Sequence, residues 1–572
     1  MSELSAKSPP PPGRLGNLLP ILRWLHDYRA KYFPRDLVAG VTLAAYSVPV
    51  SMAYAGLAGL PPVLGIYCYL FGGLAYFLLG TSRQLAIGPT SATAMVIGGG
   101  LATLADGDPV RLMTLAAGTA LVTAALCFVA GLLRLNQLVN FISETNLVGF
   151  KAGAALTIAL SQMPTVLGVA GGGDGFLDRL LKLISQIREA NLWVVGVAAS
   201  ALLFLWLGER FLPGRPAALA VVILAIAAES LFPLAGHGVT LTGSLPEGLP
   251  KVGIPDISFK DVHDLLPLAF ACFLLMYVES IAAAKTFALK HKTGVDPHQE
   301  LLALGAANLA SSVGHGFVVA GGLSQSAVNE KAGARSPLAL PVASLALVCV
   351  LLFFTRPLAL LPQAILGAIV LMAMKGLIDF KEIRHLWRVN RFDLCVAMVS
   401  FAGVLVLGIL KGVLLAALVS LLMLLRRVSL PYIAFLGRIP GTDKFSDIAR
   451  HPENERFPDL LIFRVYADVL YFNAEFIQEA VLRRLDAEPT PVRHVVWDLS
   501  SSPNMDVPGA RGVRILHQKL RDRGVELRLA ETTSFERDIL RGEHVDAAVG
   551  EISRFATVQS AIDELSGGGK QP

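Results

Sequence analysis

Apolar runs of about 20 residues recur along most of this 572-residue chain, each long enough to cross roughly 30 Å of hydrocarbon. Lipid offers the backbone no hydrogen-bonding partner, so a spanning segment must be a helix or part of a closed barrel, and runs of this length are helical. Composition agrees. Charged residues make up 16% of the chain against roughly 25% in average soluble domains, too few to clothe a soluble protein of this size. The sequence therefore predicts a polytopic α-helical membrane protein.

Candidate spans lie near 37–58, 62–80, 85–104, 112–133, 141–165, 191–208 and 217–234. A second set lies near 263–288, 298–316, 320–332, 338–355, 362–376, 393–408 and 410–428. Fourteen crossings put both termini on one side. Cationic residues concentrate in alternate connections: Arg23, Arg29, Lys31 and Arg35; Arg83; Arg134; Arg210 and Arg215; Lys290 and Lys292; Lys331 and Arg335; Lys381, Arg384, Arg388 and Arg391; Arg426 and Arg427. Basic loops stay in the cytoplasm, so both termini are expected there, in a cytoplasmic (inner) membrane. The exception is 174–188, with Arg179, Lys182 and Arg188 on an expected amphipathic interfacial helix.

The net charge of +5 is thus loop bias, and no basic stripe interleaved with aromatics suggests a nucleic-acid partner. Five cysteines (Cys68, Cys127, Cys272, Cys349, Cys395) fall in five separate apolar segments without a CxxC pair. They are expected as buried small hydrophobes, with no disulfide, metal or cofactor. The polar, Pro-rich start at 8–12, with no early apolar core and cleavage site, argues against a cleaved signal peptide.

The expected organisation is a cytoplasmic N-terminal segment 1–36, a transmembrane domain 37–428, a linker 429–456, a small domain 457–566 and a disordered tail 567–572. In the small domain, strand patterns at 460–466, 469–472, 494–498 and 525–530 alternate with helical ones at 474–485 and 509–523, the mark of a mostly parallel α/β sheet.

Chemistry is legible where apolar segments are interrupted. In Gly80-Thr-Ser-Arg-Gln-Leu-Ala-Ile-Gly-Pro89-Thr90-Ser91-Ala-Thr93, an extended stretch meets Gly-Pro and then hydroxyls at a helix start. Proline suits a helical first turn, whose free amides carry positive partial charge and favour an anion. Val318-Val-Ala-Gly321-Gly322-Leu323-Ser324-Gln325-Ser326 repeats the pattern. These are the third spans of the two sets of seven, and paired interruptions at corresponding positions point to a midplane binding site in an inverted-repeat transporter. The alternative is that Gly and Pro only ease helix packing.

The stretch from Asp36 through Pro49 to Met52-Ala-Tyr-Ala-Gly-Leu-Ala-Gly-Leu-Pro-Pro62, with both interrupted segments, resembles the signature of the SulP (sulfate permease) anion transporter family, which includes prestin. The likeness covers nearly the whole chain, because the C-terminal domain looks like that family's cytoplasmic STAS domain. It implies fourteen segments as two inverted repeats of seven, divided into core and gate domains that work by an elevator-like alternating-access mechanism, and a homodimer in membrane lipid. It also implies a pocket lined by Tyr54, Thr90, Ser91, Leu323, Ser324 and Gln325. Two departures stand out. Pro49 is followed by Val50 where many relatives have Gln, and Gln325 stands where many have Arg. The first removes one polar pocket contact, and the second, the loss of a fixed positive charge, shifts the anion's hold onto helix amides and a co-transported cation. The STAS-like turn Asp506-Val507-Pro508-Gly509 lacks the hydroxyl that sporulation regulators phosphorylate, so no phospho-switch is expected there.

Glu279 lies within an apolar segment, where a carboxylate costs several kcal/mol unless paired, hydrated or protonated. It is the candidate coupling residue. Lys285, six residues on and about 240° round the helix, is not on its face. The expectation is proton-coupled symport of a small inorganic or organic anion, with sodium coupling, uncoupled exchange or conduction, and an anion sensor as alternatives. Sulfate, bicarbonate, chloride and dicarboxylates all fit such a pocket. No nucleophile–base pair or metal cluster suggests an enzyme. Asp36 is expected to cap the first helix, and Glu144 and Lys151 to anchor the fifth segment at the interface.

Overall fold

The computed structural model describes residues 20–565 apart from 27, 103, 135–143, 174, 212–216, 244, 247, 376 and 551. The expected tail 567–572 and most of the N-terminal segment lie outside the described residues. The chain divides into two compact units, Met1–Ser420 and Leu421–Pro572.

Helices account for the first unit. The first seven segments are α1 Phe33–Leu57, α2 Val63–Leu79, α3 Ser91–Leu101, α4 Pro109–Leu132, α5 Glu144–Leu167, then, after the interfacial α6 Phe176–Gln186, α7 Leu192–Phe211 and α8 Ala217–Leu231. The second seven begin with α9 Phe259–His291, α10 Pro297–Val313, α11 Leu323–Lys331 and α12 Ala339–Phe353. After the short α13 Thr355–Ala359 come α14 Gln363–Lys375, α15 Phe380–Val389, α16 Arg391–Leu407 and α17 Ile409–Ser429. Setting aside the short helix Ile21–His26 and α6, α13 and α15, fourteen segments remain among the described residues, as read from the sequence.

Helix starts follow local chemistry. Asp108 and Asp296 cap α4 and α10 just before a proline, and Ser258 with Asp261 forms a capping box on α9. Exposed Leu203, Phe204, Trp206, Leu345 and Phe353 cover outer surfaces, as lipid-facing helices require. That also explains a correction to the cysteines. Cys68, Cys127 and Cys272 are buried, but Cys349 and Cys395 are exposed, because apolar residues in a membrane helix need not face inward. The amphipathic α6 forms inside the expected 174–188. Its counterpart five segments into the second half is α15, read from the sequence only as a basic connection.

Packing sorts the segments into two bundles. α1–α4 pack with α9–α12, whereas α5, α7 and α8 pack with α14, and α5 with α16. The bundles meet where α8 and α14 lie on α1, and where α5 and α14 lie on α3. This is the core-and-gate division. Asp36 departs from its expected role: it sits inside the first turn of α1, fully buried, and accepts the Arg335 and Ser336 amides at 2.6 and 3.2 Å and the Ser336 hydroxyl at 2.7 Å. It ties the start of α1 to the loop after α11.

The second unit holds a five-stranded sheet: β3 Ile433–Arg438, β4 Phe445–Asp447, β5 Leu460–Val465, β6 His494–Asp498 and β7 Glu526–Ala530, in the order β4-β3-β5-β6-β7. β5–β6 and β6–β7 are parallel, but β3 pairs antiparallel with both neighbours. The sheet is thus mixed rather than mostly parallel, and the segment read as linker 429–456 supplies two of its strands. Residues 469–472 form no strand beyond one bridge from Val469 to Met505. Helices α18 Ala474–Asp486, α19 Val507–Arg521, α20 Ser534–Gly542, α21 Asp546–Val549 and α22 Val558–Leu565 complete the unit, with Phe463 and Trp497 in its core.

Candidate functional site

The two interrupted segments meet. Short strands β1 Ile87–Gly88 and β2 Ala320–Gly321 cross antiparallel inside the core bundle, with Ile87 opposite Gly321 and Gly88 opposite Ala320. Their backbone is buried in protein, the condition under which extended chain survives at membrane depth. The crossing demands glycine. A β-carbon on Gly88 would sit 2.3 Å from the Tyr69 ring, and one on Gly321 would sit 2.6 Å from Leu85.

Side chains hold the crossing from every side. Gln325 Nε2 donates to Ala86 O and Ala320 O, both at 2.9 Å, and Gln325 Oε1 accepts from the Tyr69 hydroxyl. Ser326 Oγ accepts the Ala86 amide at 3.0 Å, and Asn329 Nδ2 donates to Gln84 O at 3.1 Å. On the other strand, Asn308 makes a two-way pair with Val319 at 3.0 Å, and Ser280 Oγ accepts the Gly321 amide at 2.7 Å. Gln325, the position where many relatives carry arginine, therefore has both amide protons committed to the two strands, and acts as a pin.

From this crossing α3 and α11 start side by side: a β-carbon on Gly322 would lie 3.1 Å from Thr90 Cγ2. Thr90 caps α3 in a capping box with Thr93. Its hydroxyl also donates to Glu279 Oε2 at 3.0 Å, so the acidic residue singled out in the sequence reaches the helix start singled out for the anion. Ser91 is buried beside Tyr54 of α1. Leu323 and Ser324 open α11 and are exposed, and the N-cap Gly322 offers no side chain. The structure thus joins Thr90 to Glu279, sets Ser91 beside Tyr54, puts Gln325 on the strand crossing and leaves Leu323 and Ser324 exposed at the start of α11.

Sequence reasoning passed over Glu300. This fully buried carboxylate accepts the Tyr76 hydroxyl at 2.8 Å, the Thr81 amide and hydroxyl at 2.7 and 2.6 Å, and the Ser82 amide at 3.1 Å. It anchors the chain leading into β1. Its signal was the one that exposed Glu279, a carboxylate at the edge of an apolar run. Tyr69 gave no signal. Among the described residues, no three His, Cys, Asp or Glu side chains are grouped to hold a metal ion.

Residues 33–400 match the sulfate permease family, and residues 451–561 match the STAS domain. A probable sulfate transporter of Mycobacterium tuberculosis (strain H37Rv) is 34% identical over 536 residues, covering 94% of this chain and 96% of that one. Low affinity sulfate transporter 3 of Stylosanthes hamata is 31% identical over 583 residues, covering 96% and 90%. The fold is shared with the murine solute carrier 26 family member A9 anion transporter in the inward-facing state, at a TM-score of 0.88, 23% identity and coverage of 99% and 96%. The transmembrane domain of a cyanobacterial bicarbonate transporter matches at a TM-score of 0.60 and 21% identity, covering 69% of this chain and 98% of that one. The chain belongs to the sulfate permease family, a family of anion transporters and not of enzymes, and carries a C-terminal STAS domain.

Proposed function

We propose that the chain is a secondary active transporter that carries a small oxyanion together with a proton, the core bundle moving against the gate bundle in an elevator-like cycle. The observation that carries this reading is the 3.0 Å hydrogen bond from Thr90 to Glu279. An ionised Glu279 repels an anion arriving at the adjoining helix starts, and a protonated one does not, so the anion enters together with a proton. The anion then rests against the α11 amides, the hydroxyls of Thr90, Ser91 and Ser324, and the face of Tyr54, in a site whose poles suit negative charge.

The sulfate transporters among the relatives favour sulfate as the cargo, with bicarbonate and dicarboxylates the nearest chemical alternatives. The reading includes a homodimer in the cytoplasmic membrane with both termini inside, which the loop charges favour. Uptake by purified protein in liposomes tests it, using sulfate, bicarbonate, chloride and succinate under separately imposed proton and sodium gradients. An inward proton gradient should drive accumulation of one of the oxyanions. Equal uptake with and without that gradient would leave only exchange or conduction, and a response to sodium alone would replace the proton.

A further inference from the structure

The site as built has one negative side chain, Glu279, and no positive one, since Gln325 is neutral and spent on the strand crossing. Hydroxyls and helix amides supply only partial charges. An anion held there meets no full positive charge on the core bundle, and among the described residues the gate bundle carries a candidate that the geometry directs inward.

Lys151 lies seven residues into α5, about 10 Å along the helix axis and well inside the apolar span. Two residues to either side, Gly149 and Gly153 press against α16: β-carbons there would lie 1.8 Å from Ala397 O and 2.8 Å from Phe401 O. A two-residue step is about 200° of helix, so Lys151 points away from α16. One and two turns along its own face, Ala154, Ala155 and Ile158 belong to the buried cluster that includes Ala92 and Met95 of α3 and Met276 of α9. α5 packs directly on α3, the helix capped by Thr90. Lys151 is half-buried and makes no ion pair within 4 Å among the described residues. An interfacial anchor, its expected role, would run outward along α5 to the headgroups instead.

We propose that Lys151 is the cationic wall of the anion site: the charge many relatives place on α11 is delivered here from the gate, facing Thr90 and Glu279 on the core. This rests on the anion-transport reading. Because the lysine and the pocket belong to different bundles, sliding of the core changes their separation, so the anion is held tightly at one stage of the cycle and released at another.

Sulfate and nitrate uptake into liposomes by wild type, Lys151→Gln and Lys151→Arg tests this. Lys151→Gln should raise the sulfate KM by about tenfold or more, as expected for unit charges several ångströms apart at an intermediate dielectric constant. It should also shrink the preference for divalent sulfate over monovalent nitrate, with Vmax changing less. Lys151→Arg should restore both. An unchanged KM and anion preference in Lys151→Gln overturns the assignment of Lys151 alone. A wild type that takes up neither anion, nor chloride, overturns the anion reading and this proposal with it. Should Lys151→Gln not fold, amine labelling of the wild type decides: saturating sulfate should slow acylation of Lys151 but not of the exposed Lys285, and equal rates would refute the proposal.

Discussion

The two half-helices are related by the internal repeat, yet their starts differ. α3 begins with Thr90, 5% exposed, which caps the helix and donates a hydrogen bond from its hydroxyl to Glu279. α11 begins with Gly322, which offers no cap, and the amides of Leu323, Ser324 and Gln325 meet no acceptor among the described residues. Leu323 is 51% exposed. One start is closed and wired to a carboxylate; the other is open and carries unspent donors. The repeat supplied two equivalent backbone breaks, and side chains then set them apart; on the proposed reading, α3 senses the proton and α11 seats the anion. α11 also pins the crossing through Gln325, Ser326 and Asn329, so anion binding and the geometry of the break share one short helix.

The most direct way to break this contrast is Glu279→Gln. The amide keeps an acceptor for Thr90, so anion exchange should persist while accumulation driven by a pH gradient disappears; full proton-driven uptake in liposomes would dissolve the assigned difference between the helices. Next in size is Gln325→Leu, which leaves the Ala86 and Ala320 carbonyls unpaired at about 1–3 kcal/mol each. Thermal unfolding should show a large loss of stability. A raised KM with unchanged stability would make Gln325 a ligand and not a pin. Ser324→Ala removes one hydroxyl at the open start and leaves the amides, so the sulfate KM should rise by a few-fold, the scale of about 1 kcal/mol for one hydrogen bond. Thr93→Val breaks the capping box at the closed start and should cost about 1 kcal/mol of stability with little change in KM. If Thr93→Val weakened sulfate as much as Ser324→Ala, the two starts would be equivalent anion seats.

Much of this was visible in the residues alone. Apolar run length located fourteen segments, because lipid leaves the backbone no other choice. Gly88-Pro89 and Gly321-Gly322 marked the breaks, and the cost of a carboxylate in an apolar run marked Glu279. What stayed hidden depends on long-range pairing. Nothing local says that Gln325 reaches Ala86, that Glu300 gathers the amides of Thr81 and Ser82, or that Asp36 serves residues about 300 positions away. The reading of Lys151 as an anchor rested on its distance from the helix end alone, since the face that the glycines at 149 and 153 give to α16 is not legible locally. The strands at 433–438 and 445–447 were missed because they are short and follow a helix directly, so their pattern resembles a linker.

Anomalous scattering from selenate, an isostere of sulfate, bound to the crystallised protein tests the central claim most directly. The account predicts a selenium peak between the Ser324 amide and the Thr90 hydroxyl, placed so that selenate oxygens accept hydrogen bonds from both. Transported selenate whose peak lies elsewhere, with the start of α11 empty, would contradict it.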